Sequence, residues 1–336
     1  MTLLLWAVPT AVLVAVYLVA NPMMILRVKP QELHDRHQPN KGVLTVNNFL
    51  INNPTAHFDS FILGSSLSIN YHAADWAHYL PEGSRPYHFD MSMMTFEQID
   101  RSLLWLSRHA PVRNVLIVCS PLTLTFDSLE NIDGVALPTP PALEPSALKR
   151  AKTHWKFFAE WYSMDNLAGW VYANIPGTDH KDLLGNQFAL LPADYRADIN
   201  EECVPARDVV LDSLAADYER QHPEYAQTPA AYELADSVRR TVLSPRRIAV
   251  LRHIAHTLDS LGTDYRLVLA ADKNRVRVAA ADTVTLRRVF GANFVNLADS
   301  LTEITRNPYN YYDENHYRPR AARVILSKIY ANKITN

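Results

Sequence analysis

Two short stretches at opposite ends of the 336-residue chain carry residue types that could do chemistry. The first is Gly64-Ser65-Ser66, which closes the apolar run Phe58-Asp-Ser-Phe-Ile-Leu. Such a run reads as a strand ending in a tight turn. A serine held at the C-terminal edge of a strand offers its hydroxyl beside backbone N–H groups, as an acyl-accepting nucleophile requires. The commonplace alternative is a serine that caps the following helix. The second stretch is Tyr311-Tyr-Asp-Glu-Asn-His-Tyr-Arg318. Asp313 and His316 stand three apart, so one turn of loop can bring both side chains to one place. Histidine would take a hydroxyl proton, and aspartate would fix its tautomer and stabilise the imidazolium. The commonplace alternative is a polar loop that caps a helix beginning near Pro319.

Both stretches need a frame that brings them together. Strand patterns fall at 58–64, 87–92, 112–119, 265–270 and 293–297, and helical spacing falls at 96–109, 246–261, 279–290 and 321–334. The 112–119 run is nearly all apolar, as in strands of parallel sheets. Strand and helix in alternation predict an α/β fold with a doubly wound parallel sheet and right-handed crossovers. Between about 123 and 244 the alternation breaks into a proline-rich segment, an aromatic stretch and a polar region. That reads as a long, mainly helical insertion.

At 48% hydrophobic and 20% charged residues the chain is globular, and a net charge of −2 gives no reason to expect a nucleic-acid partner. Two cysteines, Cys119 and Cys203, are too few for a disulfide scaffold or a thiolate zinc site. Cys119, ending a buried strand, reads as an inert small hydrophobe. Neither a G-x-G-x-x-G nor a Walker A sequence occurs, and no cofactor or metal is expected. His253 and His256 sit at helical spacing without an acidic third ligand and read as a solvated face. His72, His78 and His88 lack ligand spacing, and Asp127, Glu130 and Asp133 read as a polar loop.

Leu3 to Ala20 is an uncharged apolar run that comes close to spanning the ~30 Å hydrocarbon core of a bilayer, helped by Asn21 to Ile25 at its end. A retained single-span anchor over 1–25 fits it better than a cleaved signal peptide, because no basic residue precedes it and Leu18-Val19-Ala20 is a poor cleavage site. Residues 26–54 then read as a juxtamembrane linker and 55–336 as the main domain. Arg27, Lys29, Arg36 and Lys41 follow the span, but flanking charge does not decide the side taken by a long domain.

Strand–G-x-S near the N-terminus and D-x-x-H near the C-terminus resemble the SGNH (GDSL-like) hydrolase superfamily over roughly 58–329, the insertion excluded. The resemblance implies a flavodoxin-like sheet, with Ser66 as nucleophile, His316 as base and Asp313 as its acid. That family takes oxyanion donors from a glycine after the second strand and an asparagine after the third. Here the corresponding stretches read Phe89-Asp-Met-Ser-Met-Met-Thr95 and Cys119-Ser-Pro-Leu-Thr123, leaving Ser92, Met93, Ser120 and Thr123 as candidate substitutes. The N-terminal anchor and the ending D-x-x-H-Y-R are similar to a narrower set. These are the membrane-anchored proteins that O-acetylate bacterial polysaccharides, and the D-alanine transfer protein of teichoic acid synthesis. That resemblance implies a single-pass protein of the bacterial inner membrane with a periplasmic domain. It would work beside a membrane-bound O-acyltransferase and move an acyl group, acetyl by expectation, to a polysaccharide acceptor. A carbohydrate acetylesterase with the same residues, or a non-catalytic assembly subunit, remain the alternatives. Arg318 would hold an anionic group of the polymer or pair with a carboxylate. Trp155, Trp161 and Trp170 would stack on sugar or fill a core.

Overall fold

The computed structural model describes residues 2–26, 37–38, 40–125, 138–164, 166–168, 189–190, 195–202, 205–223, 242–270, 278–298, 307–313 and 316–331. In chain order the principal elements are α1 (Thr2–Ala20), α2 (Lys41–Ala56), β1 (Ser60–Gly64), α3 (Ala73–Ala77), β2 (Pro86–Asp90), α4 (Phe96–Leu106) and β3 (Asn114–Cys119). After them come α5 (Ala147–Trp161), α6 (Pro205–Gln221), α7 (Pro245–Ser260), β4 (Asp264–Leu269), α8 (Ala280–Phe290), β5 (Phe294–Asn296) and α9 (Pro319–Ile329). They fall into two compact units, one made of Met1–Ile51 with Glu130–Leu191 and the other of Asn52–Leu129 with Pro192–Asn336. The stretch expected to form one insertion, about 123–244, is thus divided between them.

The second unit is built on a five-stranded, all-parallel sheet in the order β2-β1-β3-β4-β5. This is an order of doubly wound α/β sheets, with its switch point between β1 and β3. All five residues of β1 and all six of β3 are buried, as strands covered on both faces must be. On one face Ile62, Leu116, Val118 and Val268 pack with Trp76 of α3 and with Ala321, Ala322, Ile325 and Leu326 of α9. Those α9 positions repeat at helical spacing, so one stripe of the helix meets the sheet. Phe61, Leu63, Val115 and Ile117 alternate with them and point to the other face. Helix starts follow local chemistry: Thr95 and Gln98 form a reciprocal capping box on α4, and the Ser244 side chain accepts from the Arg247 N–H ahead of Pro245 on α7. In the register, Gly64 pairs with both Asp90 and Val118, so β1, β2 and β3 end at a common edge.

In the first unit Tyr17, Met23, Met24, Val43, Phe157 and Trp161 form an apolar cluster that draws on α1, α2 and α5. A short ladder pairs His37 and Gln38 with Leu190 and Ala189. The reading of 26–54 as a linker needs correction, because Lys41–Ala56 is a helix that is buried on every side from Lys41 to Phe49. Its asparagines hid it. The Asn40 side chain caps its start by accepting from the Val43 N–H at 2.9 Å, and buried Asn47 donates to the Met24 carbonyl at 2.9 Å. These polar side chains face inward with partners, which a pattern based on apolar spacing does not register. The apolar run at the N-terminus forms α1. Among the described residues no helix is long and apolar enough to cross a membrane; the side chains of residues 1–6 lie outside them.

Candidate active site

Ser66 opens a short 3-10 turn directly after β1, at the sheet edge where the switch point lies. The turn folds back so closely that a Cβ on Gly64 would meet the Val118 carbonyl oxygen at 2.7 Å and the Ser68 Cβ at 2.8 Å. Glycine is therefore required there by the close approach of β3 and not by an unusual dihedral angle. Ser68 Oγ donates to the Ser65 carbonyl at 2.8 Å and lies 3.0 Å from buried His88 Nε2, tying the turn to β2.

His316 comes to this turn from the far end of the chain. Its Nε2 is 2.8 Å from Ser66 Oγ, and its Nδ1 is 2.9 and 2.8 Å from the two Asp313 carboxylate oxygens. A carboxylate only accepts, so Nδ1 carries a proton, and in the neutral form of the ring the Nε2 lone pair then faces the serine hydroxyl. Asp313 Oδ1 also accepts from the His316 backbone N–H at 3.0 Å, which fixes the spacing of the pair. Ser66 is half-buried, while the His316 and Asp313 side chains are 34% and 55% exposed, so the three groups open to solvent.

Three sets of contacts hold the His316 segment. A bridge joins Tyr311 to Tyr317, with the Tyr312 N–H donating to the His316 carbonyl at 2.9 Å. Buried Asn70, in the Ser66 turn region, donates its amide to the Tyr317 carbonyl. Helix α6 supplies the third. Arg318 is fully buried and donates from Nε to Asp208 Oδ1 at 3.2 Å, and from Nη2 to Asp212 Oδ1 at 2.6 Å and the Asp208 carbonyl at 2.8 Å. Its Nη1 donates to the Tyr309 carbonyl at 2.6 Å, and the Tyr312 hydroxyl donates to Asp208 Oδ1 at 2.6 Å. Two residues on, Arg320 donates to both Glu219 oxygens at 2.8 and 2.6 Å.

Arg318 is thereby settled as a carboxylate partner. A guanidinium with no exposed surface cannot receive an anionic substrate, and that half of the sequence reading is corrected. Ser120 and Thr123 are corrected too. Both are buried, the Ser120 N–H donates to Thr123 Oγ1 at 3.1 Å, and the Thr123 N–H donates back to Ser120 Oγ at 3.3 Å. This reciprocal cap closes the turn after β3 and takes both backbone N–H groups away from an oxyanion. Ser92 and Met93 stand differently. They form the turn after β2, Met93 has the left-handed φ of 49°, and no hydrogen bond among the described residues takes the N–H of Ser66, Ser92 or Met93. The conformation that glycine adopts most easily is thus present at this turn, on a methionine.

His253 is not a bare solvated group: its Nδ1 lies 2.6 Å from Asp100 Oδ1, linking α7 to α4. Among the described residues no group of three or more His, Cys, Asp or Glu could hold a metal ion. Cys119 is buried, and burial pushes its thiol up to about 12, as suits an inert hydrophobe. Trp161 is core and Trp155 is exposed. Cys203, Trp170, Asp127, Glu130 and Asp133 lie outside the described residues. Sequence reasoning missed Asn70, Asp208, Asp212 and Tyr312. Only the position of Asn70, four residues beyond Ser66, could have hinted at a role. A comparison with known protein families finds no match, and neither does one with curated proteins.

Proposed function

We propose that this chain is a serine-dependent O-acyltransferase held at a membrane by its N-terminal helix. Ser66 would accept an acyl group, acetyl by the resemblance stated above, and pass it to a hydroxyl of an extracytoplasmic polysaccharide. The observation that carries the reading is the 2.8 Å approach of Ser66 Oγ to His316 Nε2, with the Asp313 carboxylate on the opposite ring nitrogen. Neither commonplace reading of the two stretches requires a serine, a histidine and an aspartate to meet in that order.

The chemistry has two steps. Ser66 Oγ attacks the donor's carbonyl carbon as its proton passes to His316 Nε2, and Asp313 stabilises the imidazolium. The N–H of Ser66 and those of the turn at Ser92 and Met93 are the available donors for the developing oxyanion. The imidazolium then protonates the leaving group, and an acyl ester remains on Ser66. In the second step the acceptor hydroxyl attacks the ester as His316 takes its proton; the Ser66 Oγ–acyl bond then breaks, and His316 returns the proton to Ser66 Oγ. Water in place of the sugar makes the same site an acetylesterase. The run of exposed apolar side chains along α1, Val8, Val12, Val16 and Val19, supports attachment to lipid. On this reading the chain works beside a membrane-bound O-acyltransferase that delivers the acyl group.

The test is to incubate the full chain, in lipid, with a chromogenic acetyl ester and a glycan acceptor. Acetylated glycan and a mass-trapped acetyl on Ser66, both absent from Ser66→Ala, are expected. Free acetate alone would favour the esterase. No turnover and no acyl-serine with any ester would overturn the enzymatic reading and leave the assembly subunit.

A further inference from the structure

Helix α5 belongs to the first unit and buries only part of its surface. Phe157 and Trp161 enter the cluster with Tyr17, Met23 and Met24, at the C-terminal end of α1 and just beyond it. Phe158 packs edge-on against Tyr17, with ring centroids 5.1 Å apart, and the Tyr162 hydroxyl donates to the Leu13 carbonyl. A third face remains open. Leu148 is 81% exposed and Trp155 67% exposed, seven residues apart and so on one side of the helix. Trp155 stacks on Phe158 at 5.4 Å, which makes the open face continuous with the aromatic contact to α1. Lys149 and Lys152 flank it, both exposed and in no ion pair among the described residues.

An exposed tryptophan and leucine between unpaired cations, beside an apolar helix whose own side chains are open, is a poor surface to leave in water. It has the composition of a helix that lies in the interfacial layer of a bilayer. There the indole sits at headgroup depth, and lysine and arginine meet anionic phosphates. We infer that α5 is an interfacial helix, seated in the headgroup layer of an anionic membrane through Leu148 and Trp155 and held there by Lys149 and Lys152. This rests on the membrane attachment through α1 proposed above. It adds a second contact, which would fix how the first unit is oriented on the lipid where α1 alone would leave it free to turn.

The test uses the full chain in nanodiscs of phosphatidylcholine with phosphatidylglycerol, doped with phosphatidylcholine brominated either high or low on its acyl chains. The emission removed by Trp155→Phe isolates Trp155 from the other tryptophans. The expected result is that this increment is quenched by the high bromine position several-fold more than by the low one. Replacing Lys149 and Lys152 together by glutamate should abolish the quenching, and phosphatidylcholine alone should weaken it. Each cation near an anionic surface is worth roughly fivefold in local partitioning. An unquenched increment in a chain that stays with the discs overturns the inference, spares the anchor, and assigns the face to a protein partner. A chain that fails to enter the discs at all overturns both. Full quenching retained by the double glutamate variant would also overturn it, since the charges would then do nothing.

Discussion

The Asn70 side-chain amide donates to the backbone carbonyl of Tyr317, a link between positions 247 residues apart. It joins the turn that carries Ser66 to the segment that carries His316, one residue from the histidine. The distance between Ser66 Oγ and His316 Nε2 is therefore fixed at two points, at the side chains and again behind them.

Asn70→Ala should separate positioning from binding. Without the amide the Tyr317 carbonyl loses a buried partner, and the His316 ring gains freedom of a few tenths of an ångström or more. Misplacement on the scale of about 1 Å costs on the order of 10²-fold in rate. The loss is expected in kcat with KM nearly unchanged. Steady-state kinetics on an acetyl ester give both numbers, and an effect on KM alone would mean that Asn70 touches substrate.

Direct substitutions at the three aligned groups should be far more severe. Ser66→Ala removes the nucleophile and is expected to lower kcat roughly 10⁴- to 10⁶-fold. Asp313→Asn presents an amide to Nδ1 and favours the wrong tautomer, for a loss of about 10⁴-fold or less. The 55% exposure of Asp313 lets water solvate the imidazolium, so the smaller end is expected. Denaturation midpoints should barely move for either variant. A Ser66→Ala chain with full activity would sink the reading.

The parts of this site that were legible in the sequence are those made of local pattern. An apolar run ending in Gly64-Ser65-Ser66 and a D-x-x-H sequence are contiguous, and a doubly wound parallel sheet follows from the alternation of strand and helix. What holds the two together is not contiguous. Asp208 and Asp212 on α6 look like the polar face of any helix until Arg318 is seen buried between them. Helix α2 was missed for the related reason that Asn40, Asn47 and Asn48 are buried. An asparagine with partners can serve an interior that a hydrophobicity pattern would call surface. The reciprocal Ser120–Thr123 bonds were invisible too, because a turn's donors are spoken for only in three dimensions.

Arg318 sets the cost of losing the α6 clamp. Arg318→Met keeps volume but leaves the Asp208 and Asp212 carboxylates without their cation. Removing one partner of a fully buried pair costs roughly 3–5 kcal/mol. Less is expected here, since Asp212 is 41% exposed and can turn to water. Arg318→Lys should recover part of the loss, because an ammonium cannot span Asp208, Asp212 and the Tyr309 carbonyl at once. Urea denaturation measures both variants. Equal stability of Arg318→Met and the wild type would show that α6 does not hold the loop.

Gly64→Ala tests the close approach of β3. A methyl group 2.7 Å from the Val118 carbonyl forces either the strand or the Ser66 turn to move. Overpacking of this kind costs typically about 1–3 kcal/mol. Because the displaced turn carries Ser66, activity should fall further than stability alone explains at temperatures where the variant is folded. A crystal structure showing Ser66 unmoved would contradict this.

Two glutamates should pull stability in opposite directions as pH changes. Buried Glu201 accepts from the Ala73 N–H at 2.5 Å, and burial raises its pKa above the usual 4.5, outweighing that bond and the nearby His72 and Arg196. Between 4.5 and the raised value the folded chain keeps a proton that the unfolded chain has released, so stability falls as pH rises through that window and stays lower above it. Glu219 is the reverse. Its hydrogen bonds from Arg320 hold its pKa below 4.5, so its contribution is present above that value and is lost as pH falls through the depressed one. Glu201→Gln keeps an acceptor for Ala73 and removes the charge. It should raise the urea midpoint near neutral pH and converge with the wild type in acid. Glu219→Gln should lower the midpoint near neutral pH and likewise converge in acid. A Glu201→Gln chain less stable than the wild type near neutrality would mean that the ionised carboxylate, and not burial, dominates at the start of α3.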